Sequence, residues 1–163
     1  MKLILEVNVK AGYEEVVLAK IKEVYITNYI STIEQLSDYY VMIDFDNDEA
    51  EKALLIQKID GVIDIKLTPI MPVVQVQEPL ESTKSFLVFI DTIRGKEEEV
   101  MAFFTKNSSK IFKLRFASYI FDYRGDIVLE ISSNENLEKI ISSVRGVANV
   151  VDTIIYNLCV PTK

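Results

Sequence analysis

The chain contains no histidine and no tryptophan, and its 163 residues include a single cysteine. Without histidine it lacks the usual general base near neutral pH and the commonest metal ligand of proteins. A single cysteine excludes an internal disulfide, which favours a cytoplasmic protein. Because Cys159 lies between Leu158 and Val160, we interpret it as a small hydrophobic residue, buried or at a strand edge, rather than a nucleophile.

Glycine and proline are also scarce, with five and four residues, while 49% of the chain is apolar. This composition excludes a disordered chain. No apolar run approaches the ~20 residues of a membrane-spanning helix, and Glu6 comes too early for a signal peptide. The net charge of −7 argues against direct binding of nucleic acid. We therefore predict a globular protein with neither a membrane nor a nucleic-acid partner.

The two halves of the sequence repeat one pattern. Val16 is matched by Val100 at an offset of 84 residues, and Gly61 is matched by Gly146 at an offset of 85. A strand-like segment between them recurs at an offset of 86. Small changes of offset are what one short insertion in a loop would produce. The repetition indicates that one structural unit occurs twice.

Each half shows the order strand, helix, strand, strand, helix, strand, which is that of the ferredoxin-like split βαβ unit. We predict an α+β protein of two tandem ferredoxin-like units, residues 1–72 and 85–163, joined by a linker at 73–84. Each unit is expected to form a four-stranded antiparallel sheet with both helices on one face. The alternating segment 72–77 can extend the last strand of the first unit. Gly146 is expected to end the last helix as a left-handed cap.

Several predicted strands are apolar on both faces, whereas a sheet with one covered face alternates apolar and polar residues. Examples are the segments 3–5, 87–90 and 127–129. We therefore expect burial on both faces of each sheet. The other half of the chain is the simplest cover, which predicts two sheets packed face to face as an internal pseudo-dimer; a homodimer is the alternative.

Four carboxylates lie inside these apolar strands, where acidic residues are least expected. They either face a ligand or a basic partner residue, or they form ion pairs or reach solvent near strand ends. The second interpretation is the simpler one. The four residues are Glu6, Asp44, Asp91 and Glu130.

Each half resembles the effector-sensing domain of the Lrp/AsnC transcription regulators, a relative of the ACT amino-acid-binding domains. The resemblance is carried by the segment 94–100, by a hairpin that ends in 126–131, and by Gly146 and Thr153. In that family the domain dimerises through its sheets and binds amino acids between subunits. The resemblance implies a tandem that carries such a dimer in one chain.

The same resemblance implies a non-enzymatic, transcription-associated protein that binds an amino-acid-like effector or a protein partner between its repeats. It implies no catalytic residue, no metal and no cofactor. It places ligand contacts at the two hairpins, where the matching residues are Asp38, Tyr40, Tyr123 and Asp126.

Two alternatives remain open. The N-terminal domain of the NusG/Spt5 elongation factors has the same fold class and a similar Gly-x-Glu-x-x-Val motif, present here from Gly95 to Val100. That resemblance implies an adaptor that binds RNA polymerase. Enzymes of the dimeric α+β barrel type share the topology as well, but they generally rely on histidine or a cofactor, so we rank them last.

Overall fold

The computed structural model describes residues 2–24, 30–33, 38–44, 47–75, 84–107 and 112–159. Within these ranges lie four helices and eight strands, none of the helices being long and apolar enough to cross a membrane. In chain order they are β1 (Lys2–Val9), α1 (Glu14–Val24), β2 (Ile30–Ile33), β3 (Asp38–Asp44), α2 (Asn47–Gln57), β4 (Val62–Gln75), β5 (Lys84–Thr92), α3 (Glu97–Asn107), β6 (Lys113–Asp122), β7 (Gly125–Ser133), α4 (Leu137–Arg145) and β8 (Val150–Cys159).

The chain divides into two compact units. Unit 1 comprises Met1–Ile70 and Leu158–Lys163, and unit 2 comprises Met71–Asn157. Unit 1 has the strand order β4–β1–β3–β2, and unit 2 has the order β8–β5–β7–β6. The pairs β1–β3, β1–β4, β2–β3, β5–β7 and β6–β7 are all antiparallel. The predicted α+β class with antiparallel pairing is confirmed, and so is the extension of β4 beyond Pro72, as far as Gln75.

The first helix of each unit begins in the same way. The backbone N–H of Gly12 donates to a carboxylate oxygen of Glu14 at 2.8 Å, and that of Gly95 donates to Glu97 at 3.2 Å. Acidic side chains in a first turn also interact favourably with the positive end of the helix dipole. This shared start accounts for the similarity between the sequence that leads to Val16 and the sequence that leads to Val100.

One face of the unit 1 sheet packs against α1 and α2. Alternate residues of β1, among them Leu5 and Val7, are fully buried against Val17 and Ile21 of α1 and Ile56 of α2. The period of two in the strand and the helical spacing of the apolar residues in α1 together produce this core.

Unit 2 has a core of the same kind. Val88 and Ile90 of β5 lie on the face that packs against Phe104 of α3 and Ile140 and Val144 of α4, and all five are at most 1% exposed. On the opposite face Leu87, Phe89, Val128 and Glu130 are equally buried. The predicted burial of both faces is thus confirmed for this sheet. Face-to-face packing of the two sheets stays a prediction.

The correspondence between unit 1, also called repeat 1, and unit 2, also called repeat 2, differs from the one expected. The N–H of Lys10 donates to the carbonyl of Gly61, and 83 residues later the N–H of Ile93 donates to the carbonyl of Asn149. Gly61 and Asn149, 88 residues apart, both have positive φ, at 96° and 72°. Gly61 therefore corresponds to Asn149 and not to Gly146.

The prediction of a left-handed cap at Gly146 is wrong. Gly146 has φ −75° and ψ −8°, and its N–H donates to the carbonyl of Ser142, so it continues the helical conformation of α4. The left-handed residue that precedes β8 is Asn149 instead. Asparagine tolerates this conformation better than most residues with a side chain.

Candidate functional site

The two predicted ligand residues of the second hairpin have different surroundings. Tyr123, in the turn between β6 and β7, is 88% exposed. Asp126 is partly buried, and its Oδ2 accepts hydrogen bonds from the backbone N–H and the hydroxyl of Thr92 at 3.1 and 3.0 Å. The Asp126 carboxylate therefore links the start of β7 to the end of β5 through hydrogen bonds.

The two predicted residues of the first hairpin, Asp38 and Tyr40, lie in β3. Asp38 pairs with Asn8 of β1 and Tyr40 pairs with Glu6, so both occupy one face of the strand. With the 88-residue offset, Asp38 is the counterpart of Asp126. A ligand contact at these hairpin positions stays a prediction.

Asp91 and Asp126 form an acid pair at the end of β5. Partial desolvation is the largest of the effects that raise the pKa of the solvent-exposed Asp91 carboxyl, and the charge of Asp126, a hydrogen bond with Asp126 and the charge of Asp152 raise it further. A hydrogen bond from the backbone of Thr92 acts in the opposite direction. Repeat 1 has Asn8 where repeat 2 has Asp91, so this pairing of two acids distinguishes the second unit.

The β6–β7 hairpin carries a buried arginine. The Nη2 atom of Arg124 lies 2.6 Å from Oδ2 of Asp122, and the two side chains are 7% and 0% exposed. The guanidinium stacks on the ring of Phe89 at 4.0 Å, and Phe89 contacts Tyr156 edge to face at 6.0 Å. The arrangement places a paired cation on the sheet face opposite the helices.

A second buried ion pair lies on the same face of the unit 2 sheet. Nε of Arg115 is 3.8 Å from Oε2 of Glu130, and their side chains are 6% and 1% exposed. The β6–β7 register shifts between Leu114 and Phe116, so Arg115 is an extra residue in β6. Bulges of this kind often redirect a side chain near a functional site.

Two buried hydroxyls share the face with this ion pair. Ser118 is fully buried and donates to the backbone carbonyl of Tyr119 at 2.7 Å. Ser132 is 2% exposed, and its Oγ has no hydrogen-bond partner among the described residues. We call Arg115, Ser118, Glu130 and Ser132 the buried polar row.

Repeat 1 shows that the fold does not need the charge of Glu130. Glu130 pairs with Leu87 of β5, and the corresponding position of unit 1 is Met42, which pairs with Ile4 of β1. A buried ion pair is expensive to desolvate, and apolar residues of similar volume are often as stabilising. The ion pair is therefore a special feature of unit 2 and a candidate for function.

The polar row offers the Glu130 carboxylate, the Arg115 guanidinium and the Ser132 hydroxyl, which neither accepts nor donates a hydrogen bond among the described residues. A buried carboxylate can take a proton from a bound substrate, and a guanidinium can stabilise an oxyanion that forms beside it. Among the described residues no group of three or more His, Cys, Asp or Glu side chains is placed to hold a metal ion. Sequence reasoning singled out Glu130 and noted Arg115 only as one of several basic residues, and it did not pair the two, because the bulge that joins them leaves no pattern in the sequence.

No family model and no curated protein sequence matches the chain. Several solved structures are similar to it. A monooxygenase-like protein from Lactobacillus acidophilus has a TM-score of 0.59 at 11% identity, covering 97% of this chain and 92% of that one. A monooxygenase-like protein from Fusobacterium nucleatum also scores 0.59, at 9% identity with 98% and 91% covered. An anthrone oxidase-like protein scores 0.51 at 7% identity, with 97% and 91% covered. These likenesses show a shared fold.

The neighbours correct two predictions. The assignment to the Lrp/AsnC effector domains, or to NusG/Spt5, is wrong, because the similar structures are monooxygenase-like proteins. The prediction that the protein is not an enzyme is contradicted as well, since these neighbours carry the names of oxidative enzymes. The misleading signals were short motifs at helix starts and turns, which many units of this topology need for the same local reasons.

Proposed function

We propose that the chain is a tandem of two ferredoxin-like units and that it is an oxygen-using enzyme, with the buried polar row of unit 2 as its active site. The observation that carries the proposal is the Arg115–Glu130 pair, buried where repeat 1 has Met42. The names of the structural neighbours support the reaction class. The strand orders of the two units support the tandem architecture.

The chemistry that fits these groups is oxygenation of a carbon acid such as an anthrone. In this mechanism Glu130 takes a proton from the activated CH₂ group, and Arg115 stabilises the oxyanion that develops on the conjugated carbonyl across the central ring. The carbanion reacts with O₂, the CH₂ group becomes a carbonyl, and the second oxygen atom leaves as water. Each mole of anthrone thus consumes one mole of O₂ and yields one mole of anthraquinone and one of water.

Oxygen uptake with anthrone as the probe tests this function. The wild-type protein should consume O₂ and form anthraquinone in equal amounts, faster than buffer alone. Glu130→Gln should lower the rate about 100-fold or more, the usual loss when a general base is removed. Glu135→Gln, which changes an exposed carboxylate paired with Lys139, is the matched control and should keep the rate. Equal rates for wild type and Glu130→Gln would refute the assignment.

A protein partner is a second proposal, favoured by the aromatic residues at the β6–β7 hairpin. Phe121 and Tyr123 are 71% and 88% exposed, which is unusual for large aromatic side chains. Exposed aromatics of this kind are enriched at protein interfaces. A homodimer in sedimentation experiments that becomes monomeric in Phe121→Ser/Tyr123→Ser would support this use of the hairpin. An unchanged sedimentation coefficient would leave the hairpin without that role.

A further inference from the structure

Unit 2 contains an open cleft on its helical side, away from the buried polar row. It has a volume of about 380 Å³, within the range of small-molecule sites. Glu99 and Phe103 of α3 form one wall, and the end of α4 and the turn before β8 form the other. The lining includes Glu99, Phe103, Gly146, Val147, Ala148 and Asn149.

Repeat 1 shows what this corner of the fold looks like when it is filled. There Tyr13 packs directly over Gly61, so that no side chain can be added at the glycine. In repeat 2 the position of Tyr13 is taken by Lys96, and that of Gly61 by Asn149. The tyrosine that closes the corner in unit 1 therefore has no aromatic counterpart in unit 2.

The groups of the cleft favour a positive charge attached to an apolar body. The Glu99 carboxylate lies at its edge, where its Oε2 accepts a long hydrogen bond of 3.4 Å from the Asn149 amide. Phe103 is 45% exposed and offers an aromatic surface, and aromatic rings attract cations. The carboxyl end of α4 adds the negative end of a helix dipole. Val147 and Ala148 supply apolar contact area.

We propose that this cleft binds a small organic cation, a protonated or quaternary amine with an apolar substituent. The ammonium group lies between the Glu99 carboxylate and the Phe103 ring, and the substituent contacts Val147 and Ala148. This site is separate from the proposed oxygenation at Glu130, and neither proposal depends on the other.

Lys96 competes with such a ligand for Glu99. Its Nζ lies 3.0 Å from Oε1 of Glu99, in an ion pair whose side chains are 45% and 61% exposed. Exposed pairs of this kind contribute little to stability, so a ligand ammonium can displace the lysine. Removing the lysine should therefore strengthen binding, whereas removing the carboxylate should weaken it.

Calorimetric titration of the full chain with 2-phenylethylammonium at low salt tests the proposal. Wild type should bind saturably, and Glu99→Gln should weaken the affinity roughly fivefold, the upper range for a half-exposed charge pair. Lys96→Met should tighten it two- to threefold by roughly the same reasoning. Ala148→Phe should abolish binding by filling the cleft. Glu98→Gln, in the same turn of α3 but outside the lining, is the matched control and should bind like wild type.

Three results would overturn the proposal. One is the absence of saturable binding by wild type up to about 10 mM, a concentration that corresponds to negligible affinity. Another is equal affinity of wild type and Glu99→Gln, with both proteins folded by circular dichroism. The third is equal binding of the neutral analogue 2-phenylethanol, which would show that the charge is not recognised.

Discussion

At the scale of single residues, the acid pair at the end of β5 makes stability depend on pH. The pKa of Asp91 is raised above its ordinary value of 3.8 in the folded protein, so the folded state holds this proton more tightly than the unfolded state does. The folded state is therefore favoured at low pH, and stability is lost as the pH rises from about 3.8 through the raised value.

Asp91→Asn should remove this loss, because repeat 1 already has an amide, Asn8, at the same position. We expect the variant to match wild type near pH 3 and to exceed it above pH 6. The gain should be at most about 0.5 kcal/mol, since Asp91 is exposed and its charge is screened. Urea unfolding across this pH range measures it. Glu138→Gln, an exposed carboxylate of α4, is the control, and a constant difference between wild type and Asp91→Asn at all pH values would contradict the explanation.

Asn149 should be the residue whose backbone conformation matters most in the turn before β8. Its φ of 72° lies in the left-handed region, where a Cβ atom is unfavourable. We expect Asn149→Ala to cost about 1 kcal/mol of unfolding free energy and Asn149→Gly to cost less or nothing. Chemical denaturation of the two variants checks this order. If the alanine variant proved as stable as the glycine variant, the left-handed conformation at residue 149 would not affect the unfolding free energy.

At the scale of elements, the start of α4 is held by a side-chain cap. Oδ1 of Asn136 accepts a hydrogen bond of 2.8 Å from the backbone N–H of Lys139. Asn136→Ala should lower the unfolding free energy by about 1 kcal/mol, the usual loss for an N-cap, while Asn136→Asp should keep most of it. Thermal unfolding monitored by circular dichroism gives both values. Equal losses in the two variants would mean that the cap is not what stabilises this end.

Removing one partner of the buried ion pair between β6 and β7 should lower the free energy of unfolding strongly, whereas replacing both partners by apolar residues should change it little. Glu130→Met or Arg115→Met alone leaves one charge buried and should destabilise by roughly 3–5 kcal/mol. The double variant should recover most of that loss, because Met42 occupies the position of Glu130 in unit 1. A double-mutant cycle in urea measures the coupling. Additive losses would contradict it, and a stable double variant without oxygenation activity would separate function from folding.

The order of the elements could be predicted from sequence because apolar periodicity and turn residues are local. The relation between the repeats could not, because the alignment matched Gly61 with Gly146, whereas the backbone equates Gly61 with Asn149. The buried polar row could not be predicted from sequence for a related reason. Glu130 was visible as a carboxylate in an apolar strand, but its partner Arg115 is brought to it by a register shift. Tertiary register is not encoded in any short segment.

At the scale of the whole molecule, the compact units differ from the predicted ones by a few residues at their boundaries. Val74, at the end of β4, packs against the core of unit 2 but lies in the predicted linker at 73–84. Leu158 and Cys159 belong to unit 1, where they pair with Ile33 and Thr32 of β2. A cut at the predicted linker would therefore take one stabilising segment from each unit.

Fragments of the chain test this dependence. We expect the fragment 85–163 to be less stable than the fragment 71–163, by about 1–2 kcal/mol, because the longer one keeps Val74 and the end of β4. Val74→Ser in the longer fragment should reproduce most of this loss, which separates the contribution of the side chain from that of chain length. For the other unit, the fragment 1–72 should gain stability when a peptide of residues 150–163 is added, since β2 then recovers its partners. Urea unfolding of each fragment supplies the comparison. Equal stability of 85–163 and 71–163 would mean that the end of β4 is dispensable for unit 2 and that the predicted boundary at residue 85 is sufficient for this unit.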